Sequence, residues 1–570
     1  MSVSWKHRFL VAALCAGFFT LALNARNLSR AFRGALTAAS LTEHYIDERY
    51  YMATIGKVGK GESVFGHASF LEHRNDAPSA SLAPAIEGLL MRWLHLSLPY
   101  AVLLGDVLFP FLAIALLTLG LQSLSGGSLF MAGAVAVIIG SDIGTYWFRS
   151  ANPQIPFVMV MAWFTAAFVM HSSSVKASAT RGVITGLMTW VHLVYASFFV
   201  IADAVFLVAE FLQHRSWKRF LQQGAAYGLV FIVCVLPRLL LSLSPEVAQD
   251  TFYRLGVVLS HAPSAPRMQI VLLCFLVVLL FYRWQQKRWP SIWVYRCFLL
   301  LVAALIGLNQ TVIHGFDLTF VSYYQPLIRI VLLLTVCGFV IAVLPFQSWR
   351  RWVIGGIALL FIVRFQSSVS ALTKEMHAET LLYEQSGAPQ VIAWLREQQG
   401  PLVIAAPNIL NEWIPGETQH YVLFNEYGWN QPMSDTELAE RYALQVRLIP
   451  SSVSKDKTYT FVFGGHAGLQ AAKERTICRI RRMLLRTDED CVNDPRSLIR
   501  HQELLPVVDY AAVDVSAMMR KYYVEYVVTQ GEDKGELPAF CRRQEQIENF
   551  TVWNCRSDLS AQDHQFPPQS

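Results

Sequence analysis

The sequence predicts a polytopic α-helical membrane protein with about 11 transmembrane helices, followed by an extracytoplasmic α/β domain. The first observation is composition, because 54% of the 570 residues are hydrophobic, only 15% are charged and the mean hydropathy is +0.36. Soluble proteins of this size are rarely so apolar. The second is a series of apolar segments near the length of a spanning helix, about 20 residues. The third is a change to a mixed, polar composition after residue 367.

The apolar segments define the domain organisation. We predict spanning helices at 9–24, 98–121, 128–146, 155–171, 181–194, 196–213, 223–243, 268–284, 291–309, 326–345 and 351–367. Residues 1–367 then form the transmembrane domain, which contains a long first loop over residues 25–97. Residues 368–570 form a separate soluble domain.

The segment 181–213 is too long for one comfortable span and short for two. Basic residues lie at both ends, with Lys176 and Arg181 before it and Arg215 after it. Because basic residues favour the cytoplasmic side of a membrane, we predict a hairpin with both ends in the cytoplasm and His192 at its tip.

The same rule orients the remaining spans. Clusters of Lys and Arg fall in alternate connections, and these are Lys6 with Arg8, Lys176 with Arg181, Arg215 with Lys218 and Arg219, Arg283 with Lys287 and Arg288, and Arg350 with Arg351. A cytoplasmic N-terminus and eleven spans place the C-terminal domain outside a cell (inner or plasma) membrane. Cleavage of the first segment as a signal peptide is an open alternative that leaves the later spans oriented as before. The net charge of +6 is explained by these loops, and with no nucleic-acid motif it predicts no nucleic-acid partner.

The C-terminal domain contains recognisable elements. APQVIAWLREQQG is typical of an amphipathic helix ending at Gly400, while PLVIAAP and YYVEYVVTQG are typical of buried strands. Five of the nine cysteines lie in apolar runs, and the other four, which are Cys478, Cys491, Cys541 and Cys555, lie in this domain. An even number in an exported domain predicts two disulfides, with three connectivities open. Four free thiols on the cytoplasmic side are the alternative.

Polar and ionisable residues collect at the predicted outer ends of the spans. The first loop contains EHYIDERYY at residues 43–51 and, further on, His73 and Asp76. The other outer connections carry Arg149, Asn152, Gln154, His192, Asn309, His314 and Tyr324. Two more ionisable residues, Asp106 and Asp203, lie inside predicted spans, where such groups are functional candidates by default. Together these residues predict a site between the outer helix ends and the first loop.

Several short motifs stand out along the chain: Asp47-x-x-Tyr50-Tyr51 after a first span, the segment from His73 to Pro78, Arg149-x-x-Asn152-Pro153-Gln154, Asn309-Gln310, and Ser434-Asp435-x-Glu437-Leu438. With these motifs the chain resembles the GT-C superfamily of membrane glycosyltransferases, particularly its bacterial members. The resemblance covers most of the chain in layout and only these motifs in residues. It implies transfer of a sugar from a polyprenyl-phosphate donor to a lipid or cell-envelope glycan acceptor on the outer face.

The resemblance also implies roles for individual residues. In such enzymes an acidic residue of the first loop usually acts as general base or as metal-linked activator of the acceptor, and here that role falls on Asp47, with Glu48 beside it. Arg49, Arg149 and His192 are the candidates for stabilising the leaving lipid phosphate. The expected substrate-binding residues also include Tyr51, His73, Asp76, Asn152, Gln154, Asn309, His314 and Tyr324.

The paired acidic motif departs from the family pattern, in which one residue often separates the two carboxylates. Asp47 and Glu48 are adjacent, and consecutive residues of a helix diverge by about 100°. We therefore assign no metal ligands, and a divalent cation stays open as a cofactor.

Two other functions remain open at this stage. A transporter or flippase for a lipid-linked saccharide would need a polar path through the membrane and often shows inverted repeats. No repeat is visible, and the ionisable groups are expected at the outer ends instead of the midplane, which favours the transferase. An inactive GT-C-like scaffold differs from the transferase only in the role of Asp47.

Overall fold

The computed structural model describes residues 5–41, 48–74, 81–124, 128–143, 151–169, 174–240, 257–259, 266–314, 316–318, 321–343, 347–426, 433–450, 478, 482, 513–531 and 535–556. The helices that precede the C-terminal domain are α1 (Trp5–Phe32), α2 (Ala38–Leu41), α3 (Glu48–Gly59), α4 (Ala83–Leu94), α5 (Leu98–Leu124), α6 (Leu129–Ile143), α7 (Ala151–Val169), α8 (Val175–Val191), α9 (Leu193–His214), α10 (Trp217–Leu240), α11 (Pro266–Gln286), α12 (Ile292–His314), α13 (Val321–Val343) and α14 (Gln347–Gln385). A two-stranded antiparallel ribbon pairs β1 (Val257–Leu259) with β2 (Phe316–Leu318).

The chain is a multi-pass helical membrane protein. Among the described residues, seven helices, α1, α5 and α9–α13, are long and apolar enough to cross a membrane, and two shorter apolar helices lie within α6 and α7. Each of the eleven predicted spans coincides with a helix, but the count of eleven stays a prediction. Four of the eleven helices leave the count open. α6 and α7 are short, α8 carries Lys176 and Arg181, and α14 contains Arg350, Arg351 and Arg364.

The bundle core contains the inward faces of the spanning helices, among them Phe19 of α1, Trp163 of α7 and Phe199 of α9. Since α1 packs into this core, it is a structural part of the bundle. The predicted hairpin break is confirmed, because α8 ends at Val191 and α9 begins at Leu193. His192 between them is extended, with φ −161° and ψ 92°, and the two helices pack against each other.

The prediction that Arg181 belongs to a connection is wrong, while the side of the membrane on which it lies stays a prediction. Arg181 lies within α8, and its Nε donates a hydrogen bond of 2.5 Å to Asp203 Oδ1 of α9. The two side chains are only 4% and 1% exposed. Asp203, which the sequence already placed inside a predicted span, is thus paired with a cation on the neighbouring helix. A buried cation is tolerated in a helix when a carboxylate on the neighbouring helix neutralises it.

The C-terminal domain is built on a mixed five-stranded sheet. Its elements are α15 (Ala388–Glu397), β3 (Val403–Ala405), α16 (Asn408–Asn411), α17 (Ile414–Glu417), β4 (Tyr421–Val422), α18 (Asp435–Leu448), α19 (Val515–Lys521), β5 (Val524–Gln530), β6 (Arg542–Ile547) and β7 (Phe550–Asn554). The strand order is β4-β3-β5-β7-β6, in which β3 runs parallel to β4 and β5, and the β5–β7 and β6–β7 pairs are antiparallel. The predicted strands are confirmed as β3 and β5, and the predicted helix is confirmed as α15. It ends at Glu397, three residues before Gly400, whose φ of +76° suits glycine.

The disulfide prediction is confirmed in part. Cys541 and Cys555, 14 residues apart, form a disulfide beside the β6–β7 hairpin. Cys478 is also disulfide-bonded, while the five cysteines of the apolar runs are free thiols. Cys491 lies outside the described residues.

The first loop and the C-terminal domain share their hydrophobic cores. Met52 and Ile55 of α3 pack with Trp413 and Ile414 beside α17. Phe70 joins a second cluster that lies on the other side of the sheet, around β4 and α18. α14 reaches the same region, because its 39 residues span about 58 Å, nearly twice the hydrocarbon thickness of a bilayer. We call the helix ends that face this domain the domain side of the bundle.

We expect Gly56→Ala to destabilise the contact between α3 and α17. A Cβ at Gly56 would lie 2.1 Å from the carbonyl oxygen of Gly416, so two backbones must separate, at a cost of about 1–3 kcal/mol. The measurement is the thermal unfolding midpoint of the purified protein. Gly356→Ala in α14 is the matched control, since a Cβ there meets no atom within 4 Å. Equal midpoints for the two variants would contradict the close contact.

Candidate functional site

The candidate site lies where α3 meets the C-terminal domain above the domain side of the bundle. α3 begins at Glu48, directly after Asp47, and its second residue is bound to the soluble domain. Arg49 donates a hydrogen bond of 2.6 Å to Glu412, and its guanidinium lies 5.5 Å from the ring centre of Trp413. Both partners are about 10% exposed, which makes the pair strong for an ion pair at a protein surface. The start of α3 is therefore held in a fixed position.

Two lysines hold the other end of α3. Lys60 donates hydrogen bonds of 2.8 and 2.7 Å to the carbonyl oxygens of Gly416 and Thr418, and Lys57 donates one of 3.0 Å to that of Gln419. These carbonyls lie at the C-terminal end of α17, where the backbone leaves acceptors unpaired. Burial lowers the pKa of Lys57 well below its usual range. Its ammonium is compensated by the carbonyl and by the ring of Tyr421, whose centre is 3.4 Å away.

The loop after α3 extends the same attachment. Tyr421 donates a hydrogen bond of 2.8 Å to Glu62, and the backbone N–H of Val422 donates one of 2.9 Å to the carbonyl of Ser69. The loop thus covers the free edge of β4, the outermost strand of the sheet.

Four charged or ionisable side chains complete the attachment, and we call them the junction cluster: Glu72, His73, Glu437 and Arg441. His73 Nε2 donates to Glu437 Oε1 at 2.8 Å, and Arg441 Nε donates to the same oxygen at 2.8 Å. Arg441 is fully buried, 2.9 Å from Glu72, between the rings of Phe70 and Tyr522. One arginine of α18 thereby neutralises one carboxylate of the loop and one of its own helix.

Below this attachment, a polar group lies between α1, α5 and α7. Gln154 Nε2 donates a hydrogen bond of 2.6 Å to Asp106, and Asn24 Nδ2 donates one of 2.8 Å to the Asp106 carbonyl. Glu87 of α4 packs against Gly105, because a Cβ on Gly105 would lie 2.2 Å from the Glu87 carboxylate. Asp106 of α5 and Glu87 are therefore two buried carboxylates at about the same level, about two turns from the first residue of α5.

A second polar group joins α9, α12 and α13. The Tyr324 hydroxyl shares a 2.5 Å hydrogen bond with Ser197 and accepts one of 3.1 Å from Gln310. Asn309 accepts a hydrogen bond of 3.2 Å from Gln269 of α11. His192 caps α9 by accepting from the Tyr195 N–H at 3.3 Å.

The structure places several of the predicted site residues in hydrogen-bonded groups, while others lie outside the residues whose side chains it describes. Gln154, His192, Asn309 and Tyr324 lie at the domain side, in hydrogen-bonded groups. Asp47, Asp76 and Arg149 lie outside the described residues, and of Glu48, Asn152 and His314 the structure describes only the helical backbone.

Arg49 and His73 are part of the attachment between loop and domain, so either must release a carboxylate before it can bind an anion. Tyr51 is half-buried on α3, with its ring edge-on to that of Tyr50 at 5.3 Å. The substrate-binding roles of all three stay predictions.

Sequence reasoning missed Lys57, Lys60 and Glu87. A signal was present for the lysines, because GKVGKGE places two cations in a loop predicted outside, contrary to the positive-inside tendency. Glu87 gave no signal, since its burial depends on how α4 packs on α5.

Among the described residues no group of three or more His, Cys, Asp or Glu side chains is arranged to hold a metal ion. No protein-family model and no curated protein matches the chain. The function must therefore be argued from the residues.

The junction cluster predicts an acid-sensitive attachment. Burial by itself raises the pKa of Glu437, but the hydrogen bond from His73 and the charge of Arg441 outweigh it and lower the pKa from 4.5 to about 2. Because the folded value is the lower one, this stabilisation is complete above pH 4.5 and is lost as the pH falls toward 2, by at most about 3 kcal/mol. We expect Glu437→Gln to lower the unfolding midpoint at pH 6, and the difference from wild type to shrink at pH 3.5. A pH-independent difference would contradict the assignment.

Proposed function

We propose that this protein is a membrane glycosyltransferase of the GT-C type that transfers a sugar from a polyprenyl-phosphate donor to a lipid or cell-envelope glycan acceptor. The observation that carries the proposal is the attachment of α3. Asp47 is followed at once by Glu48, the first residue of a helix that is fixed at both ends to the C-terminal domain. A general base must be held within hydrogen-bonding reach of its substrate, and a fixed helix start provides that constraint.

The proposed reaction is a single displacement. Asp47 accepts the proton of the acceptor hydroxyl, whose oxygen forms a bond to the anomeric carbon of the sugar. The bond between that carbon and the phosphate oxygen breaks, and the polyprenyl phosphate leaves with the electron pair. Arg149 and His192 are the proposed stabilisers of the leaving phosphate, since a developing anion needs cationic or hydrogen-bonding partners. No soluble nucleotide takes part, and a metal requirement is not assumed.

The C-terminal domain has a structural role in this proposal. Its sequence contains no recognisable catalytic motif. Its contacts hold the first loop through Glu412, α17 and the junction cluster. We propose that it positions the catalytic segment. Its disulfide is consistent with an oxidising compartment, which supports placing this domain and the reaction on the outer face.

One observation favours transport of a lipid-linked saccharide as a second candidate. Arg181 and Asp203 form an ion pair inside the bundle, and transporter sites lie near the midplane. In this conformation both side chains are almost completely buried, so the pair presents no polar surface to a substrate. The transferase therefore remains the preferred proposal, with an inactive scaffold as the third.

We expect Asp47→Asn to reduce sugar transfer by about 10²–10⁴-fold, because the substitution keeps the shape of the side chain and removes the base. The measurement is transfer from radiolabelled polyprenyl-phosphate sugars in membranes that contain equal amounts of folded wild type or variant. Glu48→Gln is the matched control, and we expect a smaller loss from it. Equal activity of wild type and Asp47→Asn would mean that the base lies elsewhere. Absence of transfer by wild type would favour transport or a scaffold, which a flipping assay with a fluorescent lipid-linked sugar would then separate.

The positioning role of the domain predicts a separate effect for Glu412→Gln. This change leaves Arg49 without its carboxylate, so the start of α3 becomes less well held. We expect a lower kcat with little change in the KM for the donor, and recovery in Glu412→Asp. Glu536→Gln is the control, since it breaks the exposed pair with Arg447 within the domain. A raised KM with unchanged kcat would instead assign the pair to donor binding.

A further inference from the structure

Two arginines lie on the outside of the bundle at a similar depth. Arg329 belongs to α13, whose apolar spanning part is Tyr324–Val343, and Arg364 belongs to α14. The end of α13 and the start of α14 are close in sequence. Measured along the helices from these ends, Arg329 lies about 21 Å away and Arg364 about 26 Å away. Because the hydrocarbon core is about 30 Å thick, both arginines lie in its half nearer the domain side.

Both arginine side chains are exposed. Among the described residues, neither guanidinium forms a hydrogen bond or a close ion pair. An unpaired cation at this depth is costly, and a single arginine there extends its side chain toward the headgroups. Two arginines on neighbouring helices at the same level therefore require an anion.

The arginines share one carboxylate. Asp142 is half-buried at the last turn of α6 and interacts electrostatically with both Arg329 and Arg364. One carboxylate neutralises at most one guanidinium. The three side chains together thus keep a surplus of one positive charge, which is open to an anion from the membrane.

The arginines stand at the mouth of a cleft whose floor is α6. Both α13 and α14 pack against α6 more extensively than against each other. Leu360 lies one turn deeper in the membrane than Arg364 on the same face of α14, and it is 70% exposed. Leu333 lies one turn deeper than Arg329 on α13 and is half-buried. The cleft is cationic toward the domain side and apolar toward the membrane centre.

We propose that this cleft binds one phospholipid from the leaflet on the domain side, with its phosphodiester between Arg329 and Arg364. A phosphodiester carries one negative charge, which matches the surplus charge of the group. A guanidinium donates two parallel hydrogen bonds to phosphate oxygens, and the acyl chains lie against Leu333 and Leu360. Phospholipids are the most abundant phosphodiesters of a bilayer, so they reach an exposed site first. The site is independent of the proposed transferase activity.

The wild-type protein tests the requirement for phosphate. The measurement is native mass spectrometry of the full-length protein, titrated with phosphatidylglycerol or with a diacylglycerol that has the same acyl chains. We expect saturable binding of one phosphatidylglycerol with at least about tenfold higher affinity than the diacylglycerol, because only the former offers charge-assisted hydrogen bonds. Equal affinity for the two lipids would overturn the proposal.

Three variants locate the site. We expect Arg329→Gln and Arg364→Gln each to weaken phosphatidylglycerol binding by about tenfold. We expect Asp142→Asn to strengthen it, because the carboxylate competes with the phosphate for the same guanidinium groups. Arg351→Gln is the matched control, since Arg351 is an exposed arginine at the opposite end of α14. An equal loss in Arg351→Gln, or weaker binding in Asp142→Asn, would contradict the assignment.

A competition experiment identifies the occupant. A polyprenyl-phosphate-linked sugar carries the same phosphodiester, and we expect an equimolar amount of it to displace no more than about half of the bound phosphatidylglycerol. Displacement by a much smaller amount, lost in both Arg329→Gln and Arg364→Gln, would overturn the choice of phospholipid and assign the cleft to the lipid-linked sugar. Neither result depends on Asp47, so the transferase proposal stands or falls separately.

Discussion

The attachment of α3 to the C-terminal domain is the constraint on which the arrangement of the domain side depends. Cations supplied by the first loop, Arg49, Lys57 and Lys60, reach acceptors that all belong to residues 412–419. A lysine ammonium that donates to helix-end carbonyls satisfies acceptors that would otherwise be buried unpaired. The contact between Gly56 and Gly416 brings the two backbones close enough for these bonds to form. Without this attachment, the start of α3 would not be held against the C-terminal domain.

The junction cluster shows how the loop and domain share charge. The Ser434 hydroxyl caps α18 by accepting from the Glu437 N–H at 3.2 Å, which is the usual start of a helix. The Glu437 carboxylate accepts hydrogen bonds from His73 and Arg441. A residue in the first turn of α18 therefore also binds the first loop. Because Arg441 is fully buried, removing either carboxylate would leave a buried charge undercompensated. The first loop is thus as much a part of the soluble domain as of the membrane domain.

The bundle follows the same principle of local neutralisation. Arg181 is paired with Asp203, and Arg296 donates hydrogen bonds of 2.9 and 2.8 Å to the carbonyls of Ala167 and Phe168 at the end of α7. Each buried cation meets a carboxylate or helix-end carbonyls on a neighbouring helix. Ionisable residues inside this bundle therefore hold helices together, in addition to any role in a site.

The sequence by itself determined the seven long apolar helices, the break at His192 and, in the C-terminal domain, β3, β5 and α15. These follow from local patterns, since apolar length, periodicity and turn residues act over a few neighbours. Only the tertiary structure decided that Arg181 is buried, that Lys57 and Lys60 hold α17, and that His73 binds Glu437, 364 residues away. The physical reason is that burial and charge pairing depend on which helices are neighbours in space. A residue such as Glu87 has the same local sequence signal whether its helix faces water or packs against Gly105.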